Sequence, residues 1–336
     1  MRLKKALLFL TVIFFILVIV SAAMVTDLWL YANRATSENN DTVLLEVNAG
    51  QPFKITTDNL YTQGLIKSPF RFNLIARFKG YDKKLQAGEY LLARSMTPLD
   101  ILEKLKKGEV RLYKLTIPEG FNIYQIAELI EEAGFANKTD FIEAATDAAF
   151  ARQKLLDADT FEGYLFPDTY FFPKNISIQK IITTMVDRFW SVFRPEWKKQ
   201  AQVYGFTVHQ VVTLASIIEK ETGAPFERPI ISSVFHNRLK KKMRLESDPT
   251  VIYGIKDFDG NLTRKHLTTP TPYNTYRLKG LPAGPIANPG QASLEAAFFP
   301  TDTAYIYFVS KKDKTHQFST NLIDHNKAVR KYQLRR

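Results

Sequence analysis

The carboxyl group of Glu219 stands out because it follows a long apolar segment with helical spacing. Residues 208–221 read VHQVVTLASIIEKE. A helix over this segment places Ala215, Ser216 and Glu219 on one stripe. An apolar stripe removes a carboxyl group from water, which raises the pKa of such a group and suits it to general acid catalysis near neutral pH. The pattern predicts Glu219 as a catalytic acid–base, unless this side chain only ends a core helix and reaches solvent.

Polar side chains that suit a sugar accompany this carboxyl group. Tyrosine rings can contact the apolar faces of a sugar, while amide, hydroxyl and carboxylate groups can bind its hydroxyls. Each cluster alone is also compatible with ordinary turn chemistry. The candidate substrate-binding residues are Ser216, Asp248, Tyr253, Asn274, Thr275, Tyr276, Asn288 and Asn321.

Several other reaction classes lack their sequence patterns. The chain has no cysteine, which excludes thiolate metal sites and cysteine nucleophiles. Its five histidines are scattered without an HExxH pattern, and neither a GxGxxG nor a Walker A motif occurs. No serine lies in a GxSxG turn. Carboxylate acid–base chemistry remains as the main enzymatic option, with no metal and no cofactor expected.

The composition predicts a globular chain with a basic surface. At 336 residues, the length favours roughly two domains. Hydrophobic residues make up 45% and charged residues 24%, which excludes global disorder. The net charge of +12 suits an anionic polymer or membrane surface. The dense basic runs, 240–244 and 330–336, are also typical of solvated faces or tails.

An apolar run over residues 6–25 predicts a membrane span. About 20 residues cross the hydrocarbon core of a bilayer. Arg2, Lys4 and Lys5 precede the run, so the positive-inside rule places the N-terminus in the cytoplasm and the rest outside. The alternative is a signal peptide cleaved near residues 21–23. Both interpretations place residues 30–336 outside the cytoplasm, and no nucleic-acid partner is expected.

Local patterns predict an α+β fold that positions these groups. Thr97 can cap a helix that ends at Gly108, and residues 248–300 are rich in Pro and Gly, which predicts long ordered loops. Strands are expected over residues 43–47, 53–56, 88–92, 112–117 and 305–309. Helices are expected over residues 60–64, 70–78, 123–134, much of 139–200, and 208–221.

Several long motifs in one order resemble the endolytic murein transglycosylases, the MltG or YceG-like family. The matching segments are residues 162–170, 214–222, 246–254, 273–276, 280–290 and 308–326, while 88–90 and 118–120 look like the family's LysM-like portion. The implied architecture is a single N-terminal transmembrane helix, a LysM-like α+β module and a mixed α/β catalytic domain with long loops. The implied boundaries are a cytoplasmic tail over residues 1–6, the span over 7–26, the module over 40–135 and the catalytic domain over 136–336.

The resemblance implies an enzyme of the bacterial inner membrane that cuts peptidoglycan glycan strands internally. The cut at the MurNAc–GlcNAc bond would be non-hydrolytic, leave 1,6-anhydro-MurNAc ends and terminate nascent strands. The family's essential glutamate falls on Glu219, and a penicillin-binding protein synthase is the implied partner. The alternatives are a hydrolytic muramidase and a non-catalytic peptidoglycan-binding scaffold.

One carboxyl group can serve both steps of such a reaction, but ordinary glycosidases use two. The candidates for a second carboxylate are Asp248, Glu246 and Glu162. Asp248 and Asn274 are expected to orient the substrate.

Overall fold

The computed structural model describes residues 2–155 and 157–334, which combine helices with short strands. The chain divides into two compact units, Met1–Tyr113 with Pro173–Asn175, and Lys114–Phe172 with Ile176–Arg336. The first unit contains α1 (Arg2–Ala32), β1 (Thr42–Val47), α2 (Phe53–Thr62), α3 (Pro69–Lys79), β2 (Gly88–Ala93) and α4 (Pro98–Lys107).

The second unit begins within β3 (Tyr113–Thr116). Its helices are α5 (Ile123–Glu132), α6 (Lys138–Ala145), α7 (Ala148–Leu155), α8 (Ile178–Val192), α9 (Pro195–Val203), α10 (Val208–Glu221), α11 (Arg228–Lys240), α12 (Asp248–Tyr253), α13 (Arg264–Thr268), α14 (Gln291–Phe298) and α15 (Leu322–Val329). Its other strands are β4 (Thr169–Phe172), β5 (Tyr307–Ser310) and β6 (His316–Ser319).

Helix α1 is long and apolar enough to cross a bilayer. It has 31 residues, and its apolar side chains, such as Phe14 and Ile19, are exposed along the whole span. The helix continues past the predicted span to Ala32, which is buried against the core of the first unit. The predicted apolar N-terminal helix is confirmed.

The first unit pairs β1 with β2 in an antiparallel ladder, with Leu45 opposite Tyr90. Helices α2 and α3 connect the two strands. The predicted strand over residues 53–56 is wrong, because this segment starts α2. Thr56, Thr57 and Leu60 form the buried face of α2. Burial of this face favours the helix, although the two threonines are β-branched.

Helix α4 forms as its end signals predict. The Thr97 hydroxyl accepts a hydrogen bond from the Asp100 N–H, and the Asp100 carboxylate accepts one from the Thr97 N–H. Gly108 ends the helix in the left-handed region, where glycine carries no Cβ penalty.

Helix α10 is a central helix of the second unit, and every residue from 211 to 218 is buried. The Thr207 side chain caps its start by accepting from the Gln210 N–H. α10 packs against α11 and α14. The predicted helix over residues 208–221 is confirmed.

The region after α11 contains more regular structure than the loop prediction implies. The three short helices α12, α13 and α14 lie within residues 248–300. The predicted strand near 305–309 is β5, which pairs antiparallel with β6. Strands β3 and β4 form another pair. Residues 114–135, which the sequence assigned to the N-terminal module, belong to the second unit.

Candidate active site

Glu219 lies in the last turn of α10 with its carboxyl group held between two donors. The side chain is only 6% exposed. Nη2 of Arg228 donates to Glu219 Oε1 at 3.3 Å, and the Gly290 N–H donates to Oε2 at 3.0 Å. The group therefore does not reach into bulk solvent. The apolar stripe predicts apolar surroundings for Glu219, and this prediction is wrong in one respect. A guanidinium from α11 and a loop N–H make polar contacts with the carboxyl group, and the residue spacing along α10 carries no information about them.

A second carboxyl group, that of Glu119, shares the Arg228 guanidinium. Its Oε2 lies 3.7 Å from Nη2 of Arg228. Burial and the negative charge of Glu219 raise the pKa of Glu119, while Arg228 opposes this rise. The side chain is about half exposed, at 51%. Glu119 is not among the site residues predicted from the sequence, although the Pro-Glu-Gly turn that carries it is part of the family resemblance.

Two glycines allow the backbone to approach these carboxyl groups. Gly120 has a φ of +75°, and a Cβ there would lie 3.4 Å from Glu219 Cγ. At Gly290 a Cβ would overlap Oε1 of Glu119. Because Gly290 has no side chain, its N–H can approach Glu219 while the Glu119 carboxyl group occupies the space beside it.

Hydrogen bonds fix the loops around Glu219. The Gly120 N–H donates to the Asn288 carbonyl at 2.9 Å, and the Asn288 N–H donates to the Phe121 carbonyl at 2.8 Å. Nζ of Lys220 donates to the Gly120 carbonyl at 3.1 Å. The Glu119 loop is thus joined both to α10 and to the loop that ends at Gly290.

Two predicted binding residues, Ser216 and Asn288, are buried within this framework. The Ser216 hydroxyl accepts from the Ile286 N–H at 3.0 Å, which ties the loop to α10. The Asn288 side chain accepts from the Leu165 N–H at 2.8 Å. Both residues are 0% exposed, so the structure shows them positioning the loops.

Glu162 is buried beneath the same loops. Its carboxyl group accepts from the Ile123 N–H at 3.1 Å, from the Tyr253 hydroxyl at 3.0 Å and from Asn288 Nδ2 at 3.0 Å. Burial raises the pKa of Glu162 to about 7, and these hydrogen bonds limit the rise. At 1% exposure, Glu162 links three segments inside the unit.

Asn274 and Thr275 are also fully buried and hold a turn. Nδ2 of Asn274 donates to three carbonyls at the end of α13, among them that of Thr269 at 2.6 Å. The Thr275 hydroxyl accepts from the Ser247 N–H at 3.0 Å. This turn lies beside the start of α12.

Asp248 and Tyr276 are more accessible members of the predicted set. The Tyr276 hydroxyl donates to Asp248 Oδ1 at 2.7 Å. Next to them, Ser247 donates to Glu221, whose pKa burial raises to about 7. Asp248 therefore adjoins the C-terminal end of α10, the end that carries Glu219.

The remaining candidates have other partners. Asn321 caps α15 by accepting from the Asp324 N–H at 2.9 Å. Glu246 is paired with Arg238 at 3.3 Å. The contacts that the structure gives these two side chains do not include Glu219.

The arrangement is suited to proton transfer at a bond held against α10. One carboxyl group is buried and oriented, a neighbouring carboxyl group has a raised pKa, and a guanidinium lies between them. Within residues 2–155 and 157–334, no group of three or more His, Cys, Asp or Glu side chains could hold a metal ion.

Comparison with known proteins finds matches to a single family. A family model described as the YceG-like family matches residues 45–331. The protein named endolytic murein transglycosylase of Bacillus subtilis (strain 168) is 35% identical over 314 residues, which cover 88% of this chain and 86% of that protein.

More distant relatives agree. A protein of the same name from Streptococcus pneumoniae (strain R6) is 30% identical over 79% of this chain, which spans 54% of that longer protein. The crystal structure of a YceG-like protein from Listeria monocytogenes matches with a TM-score of 0.59 and 33% identity, over 85% of this chain and 98% of the other. The predicted resemblance is confirmed, and the chain belongs to the YceG-like family.

Proposed function

We propose that this chain is an endolytic lytic transglycosylase that cleaves the MurNAc–GlcNAc bond within peptidoglycan strands and leaves 1,6-anhydro-MurNAc ends. Its relatives from Bacillus subtilis and Streptococcus pneumoniae carry the name endolytic murein transglycosylase. The observation that carries the proposal is the buried carboxyl group of Glu219, held between Arg228 and the Gly290 N–H with Glu119 on the same guanidinium.

The reaction proceeds in two steps on one carboxyl group. Glu219 first donates a proton to the glycosidic oxygen while the bond from that oxygen to muramic C1 breaks, and the N-acetyl oxygen of the substrate supports the positive charge at C1. The Glu219 carboxylate then takes the proton of the sugar's 6-hydroxyl while that oxygen attacks C1. The proton returns to Glu219, and no water is consumed.

Arg228 and Glu119 act on different steps. Arg228 and the Gly290 N–H stabilise the Glu219 carboxylate formed when the proton leaves, as preorganised donors do for developing charge. A negative charge on Glu119 disfavours a second negative charge beside it and so favours the protonated acid that the first step needs. The two groups balance the two roles of Glu219.

Substitution of Glu219 by glutamine tests the proposal. The Glu219→Gln variant keeps the size of the side chain but cannot exchange the proton, so release of anhydro-ended glycans should fall by at least about a hundredfold. The measurement is mass spectrometry of products from intact peptidoglycan, with circular dichroism as the check on folding. Glu196→Gln, at an exposed carboxylate in α9, is the matched control and should retain activity.

The products also separate the alternatives. A reducing-end product that carries one additional water would identify a hydrolytic muramidase. Binding of peptidoglycan without turnover by the wild type would identify a scaffold. Full activity of Glu219→Gln would remove Glu219 from the mechanism.

We also infer the placement of the enzyme. The apolar helix α1, preceded by Arg2, Lys4 and Lys5, supports a single-pass anchor in the plasma (inner) membrane with the N-terminus in the cytoplasm and the active site outside. The strand–helix–helix–strand order of the first unit supports a LysM-like module that binds glycan. A strand-terminating enzyme fits beside a penicillin-binding protein synthase that makes the strand.

A further inference from the structure

A cavity of about 570 Å³ lies in the first unit, where α1 ends. One wall comes from the end of α1 and the residues after it, including Trp29 and Arg34. The other comes from Lys67, just before α3, and Arg71, in the first turn of α3. The proposed glycan chemistry makes no use of this cavity, because all the residues around Glu219 belong to the second unit.

Three side-chain links fix the walls of this cavity. The Tyr31 hydroxyl donates to the Ser68 carbonyl at 3.0 Å, and the Thr36 hydroxyl donates to the Leu65 carbonyl at 3.0 Å. Asp27 receives two contacts from Arg71, at 3.0 Å from Nε and 3.1 Å from Nη2. The cavity is therefore built into the junction between α1 and the rest of the first unit.

The cavity carries an excess of positive charge. Arg34, Lys67 and Arg71 line it together with the single acid Asp27, whose charge Arg71 balances. Arg34 and Lys67 are exposed, and the structure gives their side chains no ion pair within the described residues. Two cations are thus available to an anionic group in the cavity.

The position along α1 places the cavity at the level of lipid headgroups. Residues 6–25 span about 30 Å at about 1.5 Å per residue, the thickness of the hydrocarbon core. Tyr31 lies about 9 Å beyond this segment on the helix axis. The headgroup layer occupies this depth, and Trp29 and Tyr31 are the amphipathic rings that favour it.

We propose that this cavity binds the phosphodiester headgroup of an anionic phospholipid, such as phosphatidylglycerol, in the outer leaflet. Arg34 and Lys67 supply the charge, Arg71 lies beside them with its Asp27 partner, and the 64%-exposed Trp29 ring faces the lipid interface. The bound lipid holds the first unit against the membrane surface at the exit of α1. This inference rests on the proposed membrane placement of α1 and is independent of the proposed reaction.

The test compares lipid retention by the full-length chain in nanodiscs that contain equal amounts of phosphatidylglycerol and phosphatidylcholine. Native mass spectrometry gives the ratio of the two lipids that remain bound. The double variant Arg34→Gln/Lys67→Gln removes the two unpaired cations, and Lys83→Gln/Lys84→Gln removes the same charge from an exposed pair of the first unit outside the cavity.

The wild type and the Lys83/Lys84 control should both prefer phosphatidylglycerol, and the cavity variant should lose about thirtyfold of that preference, since each headgroup-level cation contributes about fivefold. Equal losses in the two double variants would overturn the proposal, because they would show only diffuse attraction. Displacement of the lipid by millimolar inorganic phosphate alone would also overturn it, in favour of a soluble anion.

Discussion

Two charged neighbours, Arg228 and Glu119, act on the Glu219 carboxyl group in opposite directions. Arg228, 10% exposed, stabilises a negative charge on the Glu219 carboxyl group, whereas a negative charge on Glu119 disfavours it. A single acid that must both give and take a proton needs neither form to be overwhelmingly preferred. The charges of Glu119, Glu219 and Arg228 are therefore coupled, and the titration of Glu119 should respond to the other two charges in opposite directions.

Burial and the negative charge of Glu219 raise the pKa of Glu119, and the positive charge of Arg228 opposes this rise. Glu219→Gln removes the negative charge and should lower the pKa of Glu119. Arg228→Gln removes the positive charge and should raise the pKa of Glu119 further.

NMR titration of the full chain with labelled glutamate measures the pKa of Glu119, with Glu119→Gln identifying its signal, and Glu196→Gln should leave this titration unchanged. Thermal unfolding checks that the Arg228→Gln variant is folded at each pH. Shifts of the two variants in the same direction would contradict the assignment of opposite roles.

At the scale of elements, α10 organises the site through three side chains of one helical face. Ser216 binds the Ile286 N–H, Glu219 binds the Gly290 N–H, and Lys220 binds the Gly120 carbonyl. Two loops from distant parts of the sequence are thereby held on the same end of one buried helix. Their close approach depends on the missing side chain of Gly290.

Gly290→Ala should displace the Glu119 carboxyl group, because the added methyl group would overlap Oε1 of Glu119. We expect turnover to fall by roughly tenfold to a hundredfold, as small misplacements at reacting groups do. The free energy of unfolding should change little, since the φ of −72° at Gly290 suits alanine and the displaced atom ends a flexible side chain. Turnover and chemical denaturation measure the two effects.

Gly223→Ala is the matched control, since a Cβ there would meet nothing within 4 Å. In a Glu119→Ala background, Gly290→Ala should cause little additional loss, because the overlapping atoms are gone. An undiminished rate in the single Gly290→Ala variant would show that the placement of Glu119 does not matter.

At the scale of the whole molecule, buried acids tie the stability of the second unit to pH. The pKa of Glu162 rises from 4.5 to about 7 on folding, chiefly because burial disfavours its charge. The folded state therefore binds more protons than the unfolded state between these values, and stability falls as pH rises through this window. Glu221, also with a pKa of about 7, contributes with the same sign.

Glu162→Gln should remove its share of this pH dependence. Relative to the variant, the wild type should lose on the order of 2–3 kcal/mol of unfolding free energy between pH 5 and pH 8. Urea unfolding of the full chain in detergent at both pH values gives the difference, and Glu221 is common to both proteins. A difference that is constant across this range would show that Glu162 keeps the same charge when folded.

Local patterns in the sequence identified the elements whose signals are close together in the chain. Helix α1 follows from a continuous apolar run, and α4 and α10 follow from apolar periodicity and end signals within one helix. The strand prediction for residues 53–56 is wrong because β-branched side chains suit a buried helix face as well as a strand. The family resemblance identified the catalytic candidate and the loops around it.

The tertiary structure alone decided which groups meet Glu219. Arg228 lies nine residues further along the chain on another helix, and Glu119 and Gly290 come from separate loops that no helical or strand period relates to α10. Four residues predicted as sugar ligands from their chemistry are fully buried and form hydrogen bonds with backbone groups. They are Ser216, Asn274, Thr275 and Asn288. Periodicity reports which face of an element is buried, whereas the partner of a buried polar group depends on how distant segments pack.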